Sequence, residues 1–236
     1  MIKRKLLIIV AVFASFLGGI VVACTCKYFD LEKIKYRFES RPRLASMGSS
    51  KPPYSQDYDF TQDWFTNNIL VWEKALHSFK GKPNIHYLEI GLFEGGSAVW
   101  MLENILTHPT ARLTGLDIFS GNVKERFMSN IERCGAEDKV KTIIGSSQVE
   151  LRKLPIDSVD ILYIDGSHFA KDVLEDVVLS WRLLKEGGIL IFDDYLWCLG
   201  IPSRERPKAA IDIFMKYFGK HFDVIHNDYQ IILKKR

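Results

Sequence analysis

The sequence predicts an α/β fold, a parallel sheet with helices on both faces. Two observations carry this. From Phe65 onward, short apolar runs alternate with amphipathic stretches of helical spacing. Acidic, glycine-bearing and histidine-bearing segments also fall where those runs end, which is where such sheets bind ligands.

Each element follows from its pattern. Ile69, Leu70, Trp72, Leu76 and Phe79 recur at helical spacing and predict a helix over Phe65–Phe79. His86–Ile90 then reads as a strand and Ser97–Leu106 as a helix. Arg112–Asp117 is a strand and Val123–Arg133 a helix. Val140–Ile144 is a strand, with a short helix at Val149–Leu154. Val159–Ile164 is a strand and Lys171–Leu184 a helix, followed by a strand at Gly188–Phe192 and a helix at Lys208–Phe218. Phe222–His226 and Gln230–Leu233 close the chain as a strand pair around Asn227-Asp228.

The 236 residues suit one domain plus an extra segment. Net charge is +3, but residues 1–43 carry nine Lys/Arg against three acids, so the remainder is net acidic. A mildly acidic domain lacks the basic footprint of a nucleic-acid binder, and none is expected as a partner. The cations flank Leu6–Ala23, an uncharged run whose helix would span about 27 Å, close to a bilayer core. The reading is a basic N-terminus (1–5), a single membrane anchor (6–23), a juxtamembrane linker (24–59) marked by Pro52-Pro53, and a domain from Phe60 (60–236). A cleaved signal peptide and a lipoprotein-type site at Val21–Cys24 are the alternatives. Cation counting weakly favours a cytosolic domain on a single-pass membrane protein. Cys134 and Cys198 have no metal-ligand spacing and read as reduced thiols. Self-association is left open.

The first strand runs into Glu89-Ile90-Gly91-Leu92-Phe93-Glu94-Gly95-Gly96-Ser97. Gly91 and Gly95 permit a tight turn and close approach to a ligand, and Ser97 can cap the next helix. Glu89 and Glu94 would repel the phosphates of a dinucleotide. They suit a ligand bearing an ammonium and a sulfonium, such as S-adenosylmethionine. Asp117, 26 residues after Gly91, can accept ribose hydroxyls at the second strand's end. Ser147 and Gln148, after the third strand, can meet an adenine edge.

The fourth strand ends Asp165-Gly166-Ser167-His168 and the fifth ends Asp193-Asp194-Tyr195. If these strands are neighbours, Asp165, Asp193 and Asp194 converge. Clustered carboxylates repel one another unless they are protonated or hold a cation, and oxygen ligands suit Mg²⁺ or a similar ion. His168 can reach the same place as a general base near neutral pH. Each residue alone reads equally well as a helix cap, a solvated turn or a surface histidine; the signal is the combination. Tyr195 and Trp197 can line a substrate pocket or simply pack under a loop.

The runs YLEIGLFEGGSAVWML, LDIF, IDGSH and IFDDY resemble the class I, Rossmann-like S-adenosylmethionine-dependent methyltransferases of methyltransferase family 24. That family is similar to catechol and macrolide-sugar O-methyltransferases. The resemblance covers roughly residues 63–234. It implies S-adenosylmethionine at Glu89, Gly91, Asp117, Ser147 and Gln148, with Glu94, Gly95, Ser97 and Asp165 beside them. It implies Mg²⁺ at Asp165, Asp193 and Asp194, and His168 as base. His168 and Asp194 stand where catechol-type enzymes carry Lys and Asn, so a sugar, glycan or other small-molecule hydroxyl is the expected acceptor. A hydroxylase on the same scaffold and a non-catalytic membrane-tethered binding module are the alternatives.

Overall fold

The structure is a computed structural model that describes residues 54–236 except Gln56 and Leu199. The expected basic N-terminus, the anchor at 6–23 and most of the linker lie outside the described residues. Among the described residues, no helix is long and apolar enough to cross a membrane.

Seven strands form one sheet in the order β3-β2-β1-β4-β5-β7-β6. They are β1 (His86–Ile90), β2 (Arg112–Asp117), β3 (Val140–Ile144), β4 (Val159–Ile164), β5 (Leu184–Phe192), β6 (Phe222–Asn227) and β7 (Ile231–Lys235). β1 to β5 pair in parallel. β7 runs antiparallel to β5 and β6 antiparallel to β7. The helices are α1 (Ile69–Leu76), α2 (Gly96–Asn104), α3 (Val123–Cys134), the single turn α4 (Ser147–Glu150), α5 (Ala170–Trp181) and α6 (Pro207–Phe218).

Side chains alternate across the central strands, and each face has its own core. Tyr87, Ile161, Tyr163, Ile189 and Ile191 pack with Trp72 of α1 and Trp100 of α2. Leu88, Ile90, Leu162, Ile164, Leu190 and Phe192 pack with Val173 and Val177 of α5 and Phe214 of α6. Trp72 is fully buried and meets Tyr163 edge to face, with ring centroids 4.8 Å apart. Truncating such a side chain costs about 3–5 kcal/mol.

The expected strands β1 to β4 match the structure. Elsewhere bounds move, and two segments differ most. The stretch 65–79 is α1 between two 3₁₀ turns, not one long helix. The helix expected to run through Leu184 stops at Trp181, and β5 begins at Leu184. Leu183 and Leu184 are both fully buried, so their apolar character fits either element. Leu184 pairs with Val159, and the register then shifts before Ile161 meets Ile189.

The final residues of the expected linker are fastened to the domain. Tyr54 donates its hydroxyl to the Gly96 carbonyl at 3.3 Å. Tyr58 donates to Glu103 at 2.5 Å, and the Asp59 amide donates to Asn130 at 2.8 Å.

Candidate active site

The β4–β5 pairing puts the two acidic segments side by side. Ile164 is opposite Phe192, and the ladder extends one step, with the Asp193 amide donating to the Ile164 carbonyl at 3.1 Å. Tyr163 shares a strand face with Asp165 by the two-residue period. Its hydroxyl lies 3.0 Å from Asp165 Oδ2 and 2.5 Å from Asp193 Oδ2. Gln230 donates to the same Asp193 oxygen at 3.0 Å, and the Asp194 amide donates to Asp193 Oδ1 at 2.7 Å.

Asp194 has a left-handed backbone, φ 58°. Asp tolerates this conformation better than most residues. Its Oδ1 accepts from the Tyr229 hydroxyl at 2.7 Å, and its Oδ2 lies 2.7 Å from His168 Nε2. The His168 ring stacks on Trp197, with centroids 4.8 Å apart and planes 20° apart. One donor atom each from Asp165, His168 and Asp194 lies within 4.8 Å of the others.

The charges here are unbalanced. Burial, then the Asp193 and Asp194 charges, push the Asp165 carboxyl well above the usual range. Burial and Asp194 raise Asp193 to about 6. The hydrogen bond that its ring donates to the Asp194 carboxylate raises His168 above its ordinary value, against the opposing effect of burial.

The loop after β1 touches this cluster. A Cβ on Gly91 (φ 88°) would stand 2.2 Å from the Asp165 carbonyl oxygen, so only glycine lets the two loops meet. Gly95 (φ 90°) turns the chain into α2, where a Cβ would meet Phe127 at 2.9 Å. Both glycines therefore serve contacts within the protein, besides any approach to a ligand. Glu89 is fully buried; Tyr87 donates to it at 3.0 Å and Ser97 donates to its other oxygen. Burial raises its carboxyl to about 8. Asp117 binds the same loop to the end of β2, accepting from the Leu92 and Phe93 amides at 2.7 and 3.1 Å and from Phe119 at 2.7 Å.

Glu94 departs from expectation. Its carboxylate accepts from the Thr61 amide and hydroxyl at 2.6 and 2.8 Å, and Arg126 stands 3.6 Å away. These partners already satisfy it, so it is not held in reserve for a cationic ligand. Ser147 and Gln148 sit at the start of α4, beyond β3, and Gln148 accepts from the Ser146 hydroxyl. Sequence pattern does not point to Gln230, Tyr229, Thr61 or Arg126; it does point to Tyr163, two residues before Asp165 on the same strand.

Comparison with known proteins agrees with this geometry. A family model described as a methyltransferase domain matches residues 88–195. The chain is 29% identical over 145 residues to uncharacterized protein R132 of Acanthamoeba polyphaga mimivirus, covering 56% of this chain and 60% of that one. It is 31% identical over 116 residues to catechol O-methyltransferase of Bos taurus, covering 47% of this chain and 41% of that one. It therefore spans less than two thirds of either relative. Among solved structures, cofactor-bound Rv0187 from MTB superposes with a TM-score of 0.59 at 18% identity, covering 76% of this chain and 84% of that one. The MycE methyltransferase from the mycinamycin biosynthetic pathway, in complex with Mg and SAH, superposes with a TM-score of 0.54 at 17% identity, covering 74% and 51%. At these identities the structural likeness speaks for the fold alone. Residues 88–195, from within β1 to the turn after β5, are the stretch that resembles a methyltransferase domain.

Proposed function

We propose that the chain is an S-adenosylmethionine-dependent O-methyltransferase aided by a divalent cation. Its acceptor is a hydroxyl of a sugar, a glycan or another small molecule. The observation that supports this most is the contact between the glycine loop and the Asp165–His168–Asp194 cluster. A methyl donor in the loop and an oxygen acceptor at the cluster would be neighbours, which is what methyl transfer needs.

The residues fit both groups. Asp165 and Asp193 are driven toward protonation by burial and by neighbouring carboxylates, and a bound cation relieves that repulsion. A divalent ion held there supplies positive charge that makes an acceptor hydroxyl easier to deprotonate. S-adenosylmethionine carries an ammonium and a sulfonium but no phosphate, in keeping with an aspartate, Asp117, beside the glycine loop. The relatives named catechol O-methyltransferase and MycE act as methyltransferases, and MycE was solved with Mg and SAH. His168 and Asp194 favour a sugar-type over a catechol-type acceptor.

The chain's own residues orient the site. Asp194 holds the His168 ring through Nε2, Trp197 covers the ring face, and Tyr229 holds Asp194. Two roles are open to an imidazole so placed. It can accept the acceptor's proton, as the resemblance implies, or it can bind the ion.

The test is incubation of the full chain with methyl-labelled S-adenosylmethionine, a divalent cation and a panel of hydroxyl acceptors, alongside calorimetry with S-adenosylhomocysteine. Label transfer that chelation abolishes is the expected result. Folded protein that binds neither nucleoside overturns the reading. A hydroxylase would use the same imidazole and carboxylates to hold iron. An oxidised product without label transfer would identify it.

A further inference from the structure

We propose that Gln230 is a positioning residue of the cation site: it holds the Asp193 carboxylate in place, and Trp72 fixes which way its amide faces. This rests on the metal-dependent reading above.

The first observation is where Gln230 stands. In the β5–β7 pairing Phe192 lies opposite Ile231, so one step further sets Gln230 beside Asp193. Gln230 Nε2 donates to Asp193 Oδ2 at 3.0 Å, and the side chain is almost wholly buried.

The second is how the amide is oriented. A glutamine can turn its amide over and offer either the oxygen or the nitrogen to a neighbour. Trp72, fully buried in α1, removes that choice. Its indole N–H only donates, so the atom 2.8 Å from it is the Gln230 carbonyl oxygen. The NH₂ group then faces Asp193. Turning the amide over would mispair both buried neighbours at once, which is costly away from water.

The third is that the other side-chain donor to Asp193 is shared. The Tyr163 hydroxyl lies 2.5 Å from Asp193 and 3.0 Å from Asp165, yet it carries one proton and gives it to one of them at a time. Gln230 has no such division, because its oxygen is committed to Trp72 and its nitrogen to Asp193. The Asp194 amide completes the grip on the other Asp193 oxygen. A carboxylate has about four lone-pair sites, so these three donors hold Asp193 and still leave room for an ion.

Hydrogen bonds of this kind orient metal-binding carboxylates, and losing one weakens the metal site even though the lost group never touches the ion. Trp72 precedes residues 88–195 and Gln230 follows them, so this support comes from outside the stretch that resembles a methyltransferase domain.

The experiment is titration of the full chain with Mn²⁺, read by electron paramagnetic resonance, alongside calorimetry with S-adenosylhomocysteine in the absence of metal. Every variant is checked for folding by circular dichroism. Gln230→Met, similar in shape but without the amide, is expected to lose about tenfold or more in Mn²⁺ affinity and to keep S-adenosylhomocysteine affinity within about threefold. Trp72→Phe is expected to lose at least about threefold in Mn²⁺ affinity. It acts through Gln230, so it should cost little further in the Gln230→Met background, whereas independent structural damage would add. If Gln230→Met does not fold, Gln230→Asn, too short to span Trp72 and Asp193, decides by the same loss. A Mn²⁺ affinity less than about threefold below wild type in the folded Gln230 variant, an equal loss of both ligands, or additive losses in the double variant overturns this inference alone. A folded wild-type chain that binds no Mn²⁺ overturns the metal-dependent reading along with it.

Discussion

Strand β4 has an aspartate near each end, and the fold treats the two in opposite ways. Asp160, at the start, receives Lys185 Nζ at 2.9 Å on both oxygens and the His86 amide at 2.8 Å. Asp165, just past the other end, receives a tyrosine hydroxyl and faces two more carboxylates. The histidines follow the same division. His86 lies between the Ser158 carbonyl and the Thr114 hydroxyl, and burial lowers its pKa, so it stays neutral. His168 stands against Asp194, which raises its pKa. One end of the sheet neutralises its charges internally. The other leaves negative charge for something from outside to neutralise, and an asymmetry of this kind marks a site.

Three substitutions would sharpen or break that contrast. Asp165→Asn removes charge where it is uncompensated, and methyl transfer is expected to fall about a thousandfold with the fold intact. Radiolabel incorporation checks it, and near-wild-type turnover would erase the contrast. Glu89→Gln has the next largest effect. The native chain keeps the Glu89 proton up to about pH 8, whereas a carboxyl of ordinary pKa 4.5 releases it early. Protonated Glu89 therefore favours the fold at low pH, and that stability is lost as pH rises through 4.5 to 8. The Gln variant should be more stable than wild type by about 4 kcal/mol at pH 8 and by little at pH 4. Urea denaturation at the two pH values measures the difference. Lys185→Met acts at the compensated end, where loss of a half-exposed partner for Asp160 should cost roughly 1 kcal/mol of stability and leave methyl transfer per folded molecule unchanged.

The sequence-readable part of the molecule is the part built from local pattern. β1 to β4 are apolar runs with clear breaks, and Asp117, Asp165 and Asp193 lie at or just past strand ends that periodicity locates. Tyr163 beside Asp165 and Tyr87 beside Glu89 were equally accessible through the two-residue period. The direction of Glu94 was not, because Glu89 and Glu94 look alike until Thr61 and Arg126 claim one of them. Nor were Tyr229 and Gln230, whose reach to Asp194 and Asp193 depends on the antiparallel register of β7 against β5. The start of β5 is not legible either, because Leu183 and Leu184 continue the apolar stripe of α5 as readily as they begin a buried strand.

Gln230 joins Trp72 and Asp193, and its bond to Trp72 spans 158 positions of the chain. During synthesis the aspartates emerge from the ribosome well before the residue that steadies one of them. The chemistry can mature only after position 230 has been translated. A premature stop at position 230 would spare every residue of the span 88–195 and still leave Asp193 without its amide donor.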